Sequence, residues 1–222
     1  MSANQGMATI TQYIPGTLYA EAFGLLAASL LLRDGTNGTG HTICVTAGHS
    51  GEGTTTMAVS LAQTIAGANR RTLLIDGNFR TPALHKVFDI PPSPGLADIL
   101  TQTAQLADAA RATNTPNLFV LPAGNVPSSP QTLLQSQALG LFLEEVRANY
   151  EFIVVDSAPA LRFPDALHVG RSTEGTILVV SAGRFAREAA LEMRRRLQRV
   201  NVKVLGVVLN RLDPKDLTRG VS

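Results

Sequence analysis

Lysine is almost missing from this chain: its 222 residues include only Lys86, Lys203 and Lys215. Arginine makes up the basic balance, and with a formal charge of only +2 the high pI reflects arginine outnumbering lysine and not a general polyanion-binding surface, so nucleic acid is not an expected partner. Cysteine is reduced to Cys44, which rules out an intrachain disulfide. Its place in an apolar run predicts a small core residue in a cytosolic protein. No apolar run approaches the ~20 residues of a spanning helix, the longest, residues 23–32, being about half of that. No basic segment leading into a long apolar stretch opens the chain either, so it is not expected to cross a membrane by itself. Internal repeats and low-complexity blocks are absent as well.

What is present is core-forming material. An apolar fraction of 45% with 16% charged residues, over this length, predicts one compact α/β domain. Residues 1–18 are polar and punctuated by glycine and proline, and read as a loosely held arm. A domain follows over 19–213, opening with a helix to residue 32 and a glycine-rich connector over 33–41. Residues 214–222 form a short tail.

Within the domain, apolar runs at 43–47, 72–75, 118–121, 152–155, 176–180 and 204–209 read as strands. Helical spacing marks 55–68, short pieces at 96–100 and 106–112, and longer helices at about 131–149 and 185–200. Strands alternating with helices predict a doubly wound, mainly parallel sheet with helices on its faces, whose ligand edge is the carboxyl end of the strands. On the 185–200 helix, Glu188 and Glu192 accompany Arg194, Arg195, Arg196 and Arg199. The Glu192–Arg196 spacing predicts an i,i+4 pair on a solvated face.

The chemistry gathers around Ile43–Thr56, where a buried strand runs into a glycine loop and then into a helix. In the pattern G-x-x-x-x-G-K-[ST], Gly48, Gly53 and Thr55 fall in place, but Thr54 stands where lysine belongs. Gly48, Gly51 and Gly53 free the backbone to aim N–H groups at phosphate oxygens, and the following helix adds its dipole. The Thr55 hydroxyl sits where a magnesium ligand is expected. The strand-end acids Asp76 and Asp156 reach the same rim and could hold that ion directly or through water.

The loop, Leu73-Leu-Ile-Asp-Gly-Asn-Phe-Arg80 and Ile153-Val-Val-Asp-Ser-Ala-Pro159 resemble the three Walker-type motifs of bacterial tyrosine kinases, in the cytoplasmic domain of capsule and exopolysaccharide tyrosine autokinases. The resemblance runs from about Tyr19 to Asp213 and takes in Ala83-Leu-His-Lys-Val-Phe88, Pro94-Gly-Leu-Ala-Asp98, Leu121-Pro-Ala-Gly124 and Gly206-Val-Val-Leu-Asn-Arg211. It implies a P-loop fold of the partition (MinD/ParA) type that uses ATP and Mg2+, with a membrane-anchored polysaccharide co-polymerase as activating partner. It also implies a nucleotide site made of Gly48, His49, Ser50, Gly51, Glu52, Gly53, Thr54, Thr55 and Thr56, with Arg80. Asn210 and Arg211 would lie against the adenine, although turn chemistry gives Asn210 a second reading as a cap after the last strand.

Four departures from the family pattern point one way. Thr54 replaces the phosphate-binding lysine, and Asn78 the second aspartate of D-x-D-x-R. Gly24 and Ala27 stand where the first helix of the family carries two assembly arginines after the counterpart of Glu21. Residues 212–222 contain no tyrosine, leaving Tyr13, Tyr19 and Tyr150, the last expected to pack. Losing a charge-assisted hydrogen bond removes about 1.5 to 3 kcal/mol, which binding can survive. Rate depends more steeply on transition-state charge. The resemblance with these departures therefore predicts a pseudokinase or regulatory partner in capsule or exopolysaccharide biosynthesis and export. ATP or ADP with Mg2+ would bind weakly and turn over slowly or not at all, in the cytoplasm or at the inner membrane through a partner. Two alternatives stay open: an active kinase or ATPase in which His49, Arg80 or a partner residue replaces the lysine, and a MinD-type positioning ATPase. The missing assembly arginines argue against the family's ring but leave other oligomers open.

Overall fold

The computed structural model describes residues 18–32, 40–135, 137–183 and 186–212. The expected arm below residue 18 and the tail lie outside them, as does Tyr13. In chain order the elements are α1 (Leu18–Leu31), β1 (His41–Ala47), α2 (Thr54–Gly67), β2 (Thr72–Gly77), α3 (Leu84–Val87), α4 (Leu96–Leu100), α5 (Leu106–Ala109), β3 (Arg111–Ala112) and β4 (Leu118–Leu121). There follow α6 (Pro130–Gln135), α7 (Gln137–Val146), β5 (Phe152–Ser157), α8 (Asp165–Arg171), β6 (Gly175–Ser181), α9 (Ala186–Arg199) and β7 (Val204–Asn210).

The strands form one sheet in the order β3-β4-β2-β5-β1-β6-β7. Every pairing is parallel except β3 with β4. The expected doubly wound, mainly parallel sheet is therefore present. Strands β2 and β5 are buried along their whole length, as continuous apolar runs covered on both faces must be. Alternate residues feed two layers. Ile43, Val45, Leu74 and Val154 pack under α1 and α2, while Cys44, Leu73, Ile75, Ile153 and Val155 pack under α4 and α7. Toward the other edge, Leu178 and Val180 meet Met193 and Leu197 of α9.

Several elements differ from the sequence reading. The helical piece expected over 106–112 stops at Ala109, and Arg111 and Ala112 turn back as a two-residue antiparallel edge strand on β4. The helix expected to residue 149 ends at Val146, where Asn149 and Tyr150 both direct their N–H to the Val146 carbonyl and turn the chain into β5. Helices α3 and α8, of four and seven residues, are too short to show a periodic pattern. Cys44 is fully buried, and burial pushes its thiol up to about 12, so it is an unreactive core residue. Tyr150 is buried too, its ring edge-on to Phe119 with the Arg71 guanidinium over both rings.

Candidate functional site

The loop joining β1 to α2 turns through two left-handed glycines, Gly51 at φ 83° and Gly53 at φ 93°. Gly53 is also the residue that opens α2, and its carbonyl accepts the Met57 N–H. Glycine is required there twice over, because a Cβ would strike the Asn210 side-chain nitrogen as well as strain the backbone.

The loop is braced from inside and from β7. Glu52 Oε2 accepts the N–H groups of Gly48, at 2.8 Å, and His49, at 3.0 Å, which ties the start of the loop to its middle. From the far strand, Asn210 Nδ2 donates to the Glu52 carbonyl at 2.8 Å. Arg211 Nη2 donates to the Gly51 carbonyl at 2.6 Å. Asn210 Oδ1 in turn accepts the Arg211 N–H, with Arg211 held at φ 58°. The base of the loop rests on the segment after β5, where Ala160 N–H donates to the Ala47 carbonyl and Leu161 N–H to that of Gly48. His49 and Ser50 are exposed at the tip, and Thr54, Thr55 and Thr56 are half-buried in the first turn of α2.

Asp76 and Asp156 stand side by side in register on β2 and β5, and both are fully buried. Asp156 Oδ2 accepts the Thr55 hydroxyl at 2.6 Å, which brings the loop and the acid together as the sequence predicts. Its Oδ1 is buried with no hydrogen-bond partner. Burial first, and then the neighbouring Asp76, push the Asp156 carboxyl up to about 8. Asp76 is raised by burial as well, but three backbone N–H groups hold it down: Oδ2 accepts those of Ala83 and Leu84, Oδ1 that of Asn78. Asp76 thus anchors the turn into α3, a structural duty that the sequence reading, with the metal alone in view, had not assigned to it.

Arg80 has a partner that no sequence pattern marks. Its Nε and Nη2 donate to Asp165 at 2.8 and 2.9 Å, and its guanidinium lies over the Phe163 ring. Asp165 is fully buried at the head of α8, so this ion pair ties the β2 turn to α8. As a stand-in for the missing lysine, Arg80 is held elsewhere. Asn210 behaves as a latch on the loop, with both side-chain atoms already engaged. Arg211, which the resemblance places with Asn210 against the adenine, touches the loop through its guanidinium. Glu52, expected only as one loop residue among nine, proves to be its internal brace. Nothing in the residue pattern marks that role.

A magnesium nucleotide fits what is here. The unpartnered Oδ1 of Asp156 and the Thr55 hydroxyl would hold the ion together with waters, since Mg2+ keeps much of its hydration. The α2 N-terminus with its flanking glycines offers N–H groups to phosphate oxygens. The ion would supply positive charge to those oxygens. Among the described residues no cluster of three or more His, Cys, Asp or Glu side chains could hold a metal without such help.

The sequence profile of a domain family described as an AAA domain matches residues 40–206. The chain is 35% identical over 172 residues to the tyrosine-protein kinase CpsD of Streptococcus pneumoniae, covering 77% of this chain and 76% of that protein. Among solved structures it resembles the chimerical protein CapA2B2, with a TM-score of 0.83 and 27% identity over 90% of this chain and 88% of that one. It also resembles the kinase domain of the Escherichia coli tyrosine kinase ETK, with a TM-score of 0.79 and 26% identity over 87% and 77% of the two chains. The septum site-determining protein MinD of Pyrococcus horikoshii, solved with Mg-ADP, shares the fold, with a TM-score of 0.67 and 24% identity over 81% and 76%.

Proposed function

Because the chain belongs to the bacterial tyrosine-protein kinases, within the P-loop ATPase fold, we propose that it is a regulatory member of that family acting in capsule or exopolysaccharide production, with weak or no ATP turnover. The observation that carries this reading is Thr54. A hydroxyl occupies the lysine position in a loop that is otherwise fully built, and the nearest acidic motif keeps its own arginine in a pair with Asp165. Mg-ATP or Mg-ADP would bind at the loop, Thr55 and Asp156. Without a basic side chain on the transferring phosphate, these residues would hold the nucleotide without driving the transfer. A membrane-anchored polysaccharide co-polymerase is the partner that suits such a chain, which among its described residues has no helix long and apolar enough to cross a membrane. That partner would bring a cytoplasmic chain to the inner membrane.

One observation favours a second reading, a working enzyme with a substitute cation: the Arg211 guanidinium already touches the Gly51 carbonyl. A single experiment separates the two. Calorimetric titration with Mg-ATP, beside a turnover assay, is run on the wild type, Thr54→Lys and Arg211→Ala. Under the regulatory reading Thr54→Lys tightens binding about ten- to a hundredfold, the value of one charge-assisted hydrogen bond, and wild-type turnover is negligible. Robust wild-type turnover that Arg211→Ala abolishes would overturn it in favour of the substituted enzyme.

A further inference from the structure

Among the described residues four arginines form ion pairs. Arg70 bonds Glu151, Arg80 bonds Asp165, Arg147 bonds Glu144 and Glu174, and Arg196 bonds Glu192. Along the outer face of α9 the pairing stops. Arg187, Arg194, Arg195 and Arg199 are exposed there, and so is Lys203 just past the helix end. Arg171, also exposed, ends α8 beside them, Gly170 lying against the Val202 side chain. Among the described residues none of these six has an ion-pair partner. The exposed acid on this helix is Glu188, since Glu192 is taken by Arg196. A chain of formal charge +2 has therefore placed six unpaired cations on one surface.

The inner face of the same helix is fixed, with Met193 and Leu197 at 0% exposure against Leu178 and Val180. On the outer face Leu191 is 42% exposed, one turn from Arg187, Arg194 and Arg195. An apolar side chain ringed by arginines suits the boundary between headgroups and acyl chains. A phosphate backbone has no use for it, and among the described residues no aromatic side chain stands with these cations to stack on a base. The face is also the outside of a helix, convex to an approaching partner.

We propose that the outer face of α9, with Arg171 and Lys203, is a docking surface for a bilayer rich in acidic phospholipid. It would give this chain its own hold on the membrane, separate from any protein partner and from the nucleotide site.

The test is sedimentation of the full chain with vesicles of phosphatidylglycerol mixed into phosphatidylcholine, against phosphatidylcholine alone. A cation near an anionic leaflet contributes about 1 kcal/mol, roughly fivefold in affinity. Arg195→Glu with Arg199→Glu should therefore weaken binding to the acidic vesicles at least tenfold, and rising salt should do the same. Leu191→Ser should weaken binding while leaving its salt dependence unchanged. Lys86→Glu, which changes net charge at an exposed position of α3, should have little effect, and circular dichroism verifies that each variant is folded. Equal binding to both vesicle types, or binding that the double variant leaves intact, overturns the proposal. So does failure to bind acidic vesicles while duplex DNA is bound through the same arginines, which would assign the face to nucleic acid.

Discussion

In the metal-free folded chain, burial first and then Asp76 beside it raise the Asp156 carboxyl from an ordinary 3.8 to about 8. An acid raised by folding takes up a proton as the chain folds at any pH between those two values. The unfolded state then binds fewer protons than the native one, so stability falls as pH rises through that interval and levels off above it. Urea titrations across the interval should show this decline in the wild type and a shallower one in Asp156→Asn. Equal slopes would mean that another group governs the dependence. The same residue scale shows the limits of reading a chain by motif. Asp156 and Thr55 were placed from spacing alone, and they meet at 2.6 Å. The Glu52 carboxylate bonds within its own loop, where no residue pattern marks it. Asp165 and the latch at Asn210 were not legible because each bonds a partner that only the folded chain brings near, Asn210 and Glu52 lying 158 positions apart.

Among the elements, α2 carries the clearest contrast between two glycines. Gly53 opens the helix at φ 93° under the Asn210 side chain, whereas Gly67 closes it with open space where a Cβ would go. Gly53→Ala should destabilise the chain by more than about 1 kcal/mol and loosen the latch, through both strain and collision. Gly67→Ala should be neutral or stabilising by up to about 1 kcal/mol. Urea midpoints of the two variants compare them directly, and similar losses at both positions would refute the contrast. Long elements were legible because their period or their apolar run is long enough to count. Helix α8 escaped because only seven residues lie between Pro164 and Ser172, and the edge strand β3 because two residues carry no alternation.

For the whole molecule, strand order sets where stability lies. Strand β5 sits in the middle with a parallel neighbour on each side, while β7 is an edge with one neighbour and exposed Val207 and Leu209. Native-state hydrogen exchange should find Ile153, Val154 and Val155 opening only with global unfolding, with the full denaturant dependence that this implies. Val207 and Leu209 should open locally, with little dependence. Uniform protection across the sheet would contradict this picture. The overall architecture was readable from the alternation of such runs with helices, since a run like Phe152–Asp156 suits a strand buried on both faces and the intervening helices make its neighbours parallel. The order of those strands is a different matter, being a property of which runs find each other in space.

The latch between the last strand and the first loop also has a meaning in time. Synthesis delivers Gly51 and Glu52 long before Asn210 and Arg211, the residues that hold their carbonyls. A nascent chain still waiting for its seventh strand therefore carries the loop without its clasp. The loop is clasped only once Asn210 and Arg211 have been made, so a chain stalled or cut before residue 210 would present its sheet with the loop unclasped.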